Sequence, residues 1–199
     1  MALVAGAIPS EYLEYSTIYK IDNNGSLPLS PFGNSIEGYI AEFDMLCTAG
    51  TYWWDAVWFT EETNPTGISF FIQRGLCVLR LNSSIQHRGP DFGTSFPLDA
   101  SNFKLRIIKN SVYEVDLNGS HYSYSLGNYD IPEPQTPSLL MNAQGEIRGH
   151  IKIRNHQGSI IREYVPCKRL IDDQVGLYEI KTGGFTYDTT YPNNCVVYN

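Results

Sequence analysis

Ile147-Arg148-Gly149-His150-Ile151-Lys152-Ile153-Arg154 alternates for eight residues. Ile147, Gly149, Ile151 and Ile153 fall on one side of an extended chain, and Arg148, His150, Lys152 and Arg154 on the other. A period of two predicts a β-strand with one face in a core and one toward water. A helix would scatter the same residues around its circumference. Asn155-His156-Gln157-Gly158 follows as a turn, and Ile160 to Val165 reads as the partner strand of a hairpin.

The same signature recurs in both directions along the chain. Val112 to Leu117, Asn118-Gly119, then His121 to Tyr124 forms a second hairpin around an Asn-Gly turn. Phe103 to Ile108 lies just upstream, which extends it to a three-strand meander. Further strands are expected at Gly38–Asp44, Trp54–Phe59, Ile68–Gln73, Leu76–Leu81 and Val175–Ile180. Turn-forming clusters separate them, among them Asp22-Asn23-Asn24-Gly25, Asn64-Pro65-Thr66-Gly67 and Ile131-Pro132-Glu133-Pro134. About ten short strands at regular spacing predict an all-β, two-sheet antiparallel jelly-roll sandwich. Residues 1–33 read as an N-terminal arm with the first strand, and 34–199 as the sandwich domain.

Composition agrees. With 17 Gly and 11 Pro spread along 199 residues, long helices are disfavoured, and 26 aromatic side chains (14 Tyr, 9 Phe, 3 Trp) favour strands. A net charge of -7 argues against binding nucleic acid, whose affinity comes largely from neutralising phosphates. No apolar run approaches a membrane span. The apolar start, Met1 to Ile8, is short and lacks a basic segment, so it reads as a docking arm or first strand rather than a signal peptide. Cys47, Cys77, Cys167 and Cys195 form no CxxC pair. Cys77 and Cys167 sit in apolar strand-like runs and read as small core residues of a protein made in a reducing cytoplasm.

Catalytic patterns are incomplete. Glu42-Phe43-Asp44 resembles the start of the ExDxxE pattern of sandwich-fold glucanases, whose chemistry needs carboxyl groups on both sides of the scissile bond. The third acidic position is Cys47, so no catalytic residue is assigned. Glu42 and Asp44 are expected on the solvated face, opposite Phe43. His87, His121, His150 and His156 do not pair at metal-ligand spacing, and neither a metal nor a cofactor is expected.

Two features suit contact with a ligand or partner. Trp53, Trp54 and Trp58 belong to an aromatic cluster that would fill a core, stack on sugar rings or anchor an interface. The basic stripe of Arg148, His150, Lys152 and Arg154 is either a solvated strand face or a contact for an acidic partner.

The closing third carries a family resemblance. Ile151-Lys152-Ile153, then Gly158-Ser159-Ile160-Ile161-Arg162-Glu163-Tyr164-Val165-Pro166-Cys167-Lys168-Arg169, Val175-Gly176-Leu177-Tyr178-Glu179-Ile180 and Gly184-Phe185 resemble the last strands of concanavalin A-like (laminin G-like) domains in structural and fibre proteins of tailed phages. Ile8-Pro9-Ser10-Glu11-Tyr12 resembles the family's start. Glu179 departs from the usual Asp, the segment from Asp22 to Asn34 replaces a long opening strand, and Pro192 to Asn199 extends past the usual end. The resemblance implies a non-enzymatic virion module, made in the host bacterial cytoplasm. Its expected partners are other virion proteins, copies of itself and cell-surface glycans. The alternatives are a glycan-cleaving enzyme on the same fold and a bacterial carbohydrate-binding lectin. The matched motif is structural, so it transfers no glycan-binding residue.

Overall fold

The computed structural model describes residues 8–22, 24–30, 39–48, 56–61, 68–73, 76–81, 85–91, 99–107, 112–117, 119–125, 137–140 and 144–199. These residues form strands and turns, with no helix among them. Among the described residues seventeen strands make two antiparallel sheets in an all-β sandwich, more strands than the ten or so expected. The larger sheet holds β1 (Tyr12–Glu14), β2 (Thr17–Lys20), β4 (Tyr39–Thr48), β9 (Asp99–Ile107), β10 (Val112–Leu117), β11 (Ser120–Ser125), β13 (Gln144–Asn155), β14 (Ile160–Arg169), β15 (Val175–Glu179), β16 (Phe185–Thr186) and β17 (Cys195–Tyr198). Its main order is β11-β10-β9-β4-β13-β14-β15-β16. The smaller sheet runs β3 (Leu27–Pro28), β12 (Pro137–Leu139), β5 (Ala56–Glu61), β6 (Ile68–Gln73), β7 (Leu76–Leu81) and β8 (Ile85–Asp91).

Strand β13 contains the alternating stretch and sits in the middle of the larger sheet. Its inward residues Ile147, Ile151 and Ile153 are fully buried. The register extends that burial sideways. Ile153 pairs with Ala41, Ala41 with Leu105, and Leu105 with Val115, so one buried apolar row crosses four strands. Burying such a row is the main stabilising term of a sandwich. Phe43 points into the same core, 2% exposed, while Glu42 and Asp44 are half-buried beside it on the opposite side, as expected.

Gly149 breaks the strand without breaking its phase. Arg148 pairs with Asp44 and Lys152 with Glu42, so three residues of β13 oppose Phe43 alone. The bulge adds two residues, an even number, and the faces on either side stay in step. Gly149 adopts φ +69°, a conformation disfavoured for other residues. Its N–H reaches the carbonyl of Ser16 at 2.6 Å. At this point the other neighbour of β13 changes from β2 to β14.

The described part of the first 33 residues is woven into both sheets. It supplies three strands: β1 pairs with β14, β2 with β13 and β17, and β3 with β12. The segment beyond the family's usual end forms β17, which extends the larger sheet next to β2. Buried Asp188 and Asn194 fasten this C-terminal segment to the turn after β2. The Asp188 carboxylate accepts the N–H groups of Ser26, Thr190 and Tyr191, and Asn194 Oδ1 accepts that of Asp22.

Residues of the closing strands that carry the resemblance pack the core. Val165, Cys167 and Leu177 are fully buried. A Cβ on Gly176 would sit 2.2 Å from the carbonyl oxygen of Thr186, so β16 can lie against β15 only because that position is glycine. Burial pushes the thiols of Cys167 and Cys195 up to about 12, which leaves both protonated at neutral pH.

Candidate functional site

The outward face of the larger sheet carries the charged residues. Each strand contributes one by the alternation that buries its apolar neighbours. Across the sheet, Glu163 pairs with Lys152, Lys152 with Glu42, Glu42 with Lys104, Lys104 with Asp116, and Asp116 with His121. This row crosses six strands, and from Glu163 to Asp116 the charge changes sign at every step. Opposite charges directly across a sheet are worth about 0.2–1 kcal/mol per pair.

Side-chain geometry matches the register. Lys104 Nζ lies 3.9 Å from Glu42 Oε2. His121 Nδ1 lies 2.5 Å from Asp116 Oδ1, and Arg106 Nη1 lies 3.2 Å from Glu114 Oε2. Arg154 Nε adds a second cation to Glu42 at 3.4 Å, while its Nη1 donates to the carbonyl of Gly158 at 2.9 Å. Arg148 Nε donates to Glu146 Oε1 at 2.6 Å. His150 stands between two carboxylates, Nδ1 2.8 Å from Glu163 Oε1 and Nε2 3.5 Å from Glu14 Oε1.

The four basic residues of β13 therefore do not form a free positive stripe. Arg148, His150 and Arg154 each have a carboxylate within reach, and Lys152 lies in register between Glu42 and Glu163. The sequence shows the bases consecutively, whereas their acids come from β1, β4, β14 and β13 itself. A docking acidic partner would have to displace these internal carboxylates.

Above the Gly149 bulge the face is indented by a cleft of about 180 Å³, lined by Glu42, Phe43, Asp44, Arg148, Gly149, His150 and Lys152. It brings together three of the four basic residues and both acids of the glucanase-like pattern; Arg154 reaches it only through Glu42. The cleft is small beside typical ligand pockets of roughly 300–1,000 Å³. Glu42 is drawn toward Lys104 and Arg154, and the place of a third acid is occupied by Cys47. Among the described residues no group of three His, Cys, Asp or Glu side chains is arranged to hold a metal ion.

The aromatic cluster is only partly described. Trp53 and Trp54 lie outside the described residues, and Trp58 lies on β5 with its side chain outside them. Val57 pairs with Phe71 and Phe59 with Phe70, so a bulge falls at Trp58 and strict alternation does not run through it.

Sequence reading missed a second depression, of about 380 Å³, lined by Ile21, Asp22, Thr190, Tyr191, Pro192, Asn193 and Asn194. Its residues come from the turn after β2 and the segment before β17, which are 168 or more positions apart in the chain. The available signal was compositional: Tyr191-Pro192-Asn193-Asn194 sets an aromatic ring beside two amides in a loop.

No family model matches this chain, and no curated protein matches it. Among solved structures, it is similar to the carbohydrate recognition domain of Emp47p, at 8% identity and a TM-score of 0.37, over 77% of this chain and 92% of that one.

Proposed function

We propose that this protein is a non-enzymatic binding module of a tailed-phage virion, which assembles with other virion proteins and with copies of itself and displays a face for host glycans. The observation that carries the reading is the closing run of β14 to β16. The residues that resemble the phage family form the buried end of the larger sheet, with Gly176 accommodating β16. The non-enzymatic part is supported by Glu42, one of the two acids of the cleft, which is shared between Lys104 and Arg154. Mass spectrometry of purified virions tests the assignment: the protein is expected among the virion components, and its absence would sink the idea.

One observation favours a second reading, glycan cleavage. The cleft above Gly149 gathers Glu42, Asp44 and His150, and a cleaving enzyme needs paired acids in one cleft. If the double replacement Glu42→Ala, Asp44→Ala leaves glycan turnover unchanged, that reading fails.

A further inference from the structure

We infer that the depression between the turn after β2 and the segment before β17 is a binding site for a neutral hexopyranose, with Tyr191 as its platform and Asp22 and Asn193 as its polar contacts. The inference deepens the glycan part of the proposed function and rests on it. It places the site on residues other than those that line the charged cleft.

The lining has the chemistry that a sugar ring requires. A hexopyranose offers a patch of C–H groups on one side and hydroxyls around its rim. It is held where an exposed aromatic surface lies beside a few fixed donors and acceptors. Tyr191 is 45% exposed and Ile21 42% exposed, and with Pro192 they give the depression an apolar side. Asp22, Thr190 and Asn193 give it a polar side. The Thr190 hydroxyl, the Tyr191 hydroxyl and the Asn193 amide make no hydrogen bond within the described structure, so their capacity is open to a ligand.

The frame behind these groups is rigid. Asp188, buried, holds the N–H groups of Thr190 and Tyr191 at 3.0 and 2.9 Å. One edge of the Tyr191 ring lies against Gly25, where a Cβ would come within 2.9 Å of the ring. Asn194 fixes the other wall, accepting from the N–H of Asp22 at 3.1 Å and donating to the carbonyl of Asn24. Buried Lys20 donates to the carbonyl of Asp22 at 2.7 Å. A loop held this firmly loses little freedom when a ligand arrives, which suits weak, shallow sugar binding.

Charge selects the class of sugar. The Asn24 N–H, 2.7 Å from Asp22 Oδ1, is the first of several contacts that hold this carboxyl below the usual carboxylate range. It is a permanent acceptor for sugar hydroxyls at neutral pH. Among the described residues that line the depression none is cationic and Asp22 is anionic, so a sialylated or phosphorylated sugar would meet repulsion that Lys20, buried behind Asp22, offsets only in part.

The test is saturation-transfer NMR on the full chain with three neutral probes, maltotriose, lactose and N,N′-diacetylchitobiose, and with sialyllactose as the charged comparison. At least one neutral probe is expected to bind, and sialyllactose more weakly than lactose. Tyr191→Ala and Asp22→Asn should each raise its Kd about tenfold, the equivalent of ~1.4 kcal/mol. Both side chains are exposed enough for the fold to survive, which an unchanged melting temperature would verify. If a neutral sugar binds equally well to both variants but not to a Trp53→Ala, Trp54→Ala double variant, the site is overturned while the glycan reading stands. If none of the neutral probes binds the unaltered chain, both are overturned. A change in sedimentation on Tyr191→Ala with sugar binding intact would assign the patch to a second copy of the chain instead.

Discussion

Glu179 offers the most demanding test of how the closing strands are held. It is fully buried, yet it is an acid where the resembling family has a shorter one. Its Oε1 accepts the N–H groups of Glu163 at 3.0 Å and Lys181 at 2.9 Å, and its Oε2 accepts the N–H of Thr182 at 2.6 Å and the Thr182 hydroxyl. Burial alone would push its carboxyl up. The hydrogen bond from the Thr182 side chain and the three N–H groups outweigh burial and hold it below the usual range. A hydrogen bond to a charged group is worth about 1.5–3 kcal/mol. Replacing Glu179 with Ala does not lose four such bonds, because Lys181 and Thr182 are exposed and their donors gain water. The N–H of Glu163 lies within β14 and gains little. The expected cost is therefore about 3 kcal/mol, set by the charged bonds that water replaces poorly. For a chain of this size 1 kcal/mol moves Tm by about 2–4 °C, so Glu179→Ala should melt about 6–12 °C lower at pH 7.

The acid limb of the same experiment fixes the sign. A carboxyl whose folded pKa is depressed contributes stability in full above its unfolded value of about 4.3, and loses it as pH falls through the lower folded value. The gap between unaltered chain and Glu179→Gln should therefore stay constant from pH 7 to about 5 and close below 4. Thermal melts followed by circular dichroism across that range measure it. A Glu179→Ala variant melting within 2 °C of the unaltered chain, or a Glu179→Gln gap that persists at low pH, would refute the assignment of Glu179 as an ionised anchor.

Gly176→Ala places a methyl group 2.2 Å from the Thr186 carbonyl; overpacking of this kind costs about 1–3 kcal/mol, and hydrogen exchange should show β16 losing protection before the rest of the sheet. Lys152→Glu puts like charges between Glu42 and Glu163. It should lower stability by about 1–2 kcal/mol in dilute buffer, and by less than half of that in 1 M salt, where screening acts within about 3 Å. Denaturant melts at the two salt concentrations decide whether the charged row contributes through its alternation.

The sheet was legible because its inward residues obey a local rule. Ile147, Ile151 and Ile153 announce a strand by themselves, and the Asn-Gly and Asn155–Gly158 turns announce where it reverses. The Gly149 bulge left no trace in that pattern because it inserts an even number of residues. A one-residue bulge leaves a trace only if the interrupted residues can be told apart. At Trp58 they could not, since both faces of that segment are apolar or aromatic.

The sequence left the charged face open between a solvated face and a partner contact for a different physical reason, and the reason bears on function. A strand's own sequence shows only the charges along it. From Arg148 to Arg154 these are all basic, so the stretch suits either a solvated face or an acidic partner. What a charge meets is set by the strand beside it, and that depends on register between segments far apart in the chain. Glu42, Glu163 and Glu14 reach Lys152, Arg154 and His150 only after β4, β14 and β1 have paired. A face assembled from four or more strands with its charges already matched is stabilised by its own cross-strand pairs and offers little unpaired charge. The groups free to meet a ligand are those that no register satisfies. Among the described residues such groups are found in the loop between β16 and β17, where Thr190, Tyr191 and Asn193 line the depression and the Asp188 carboxylate has already taken up the N–H groups of Thr190 and Tyr191.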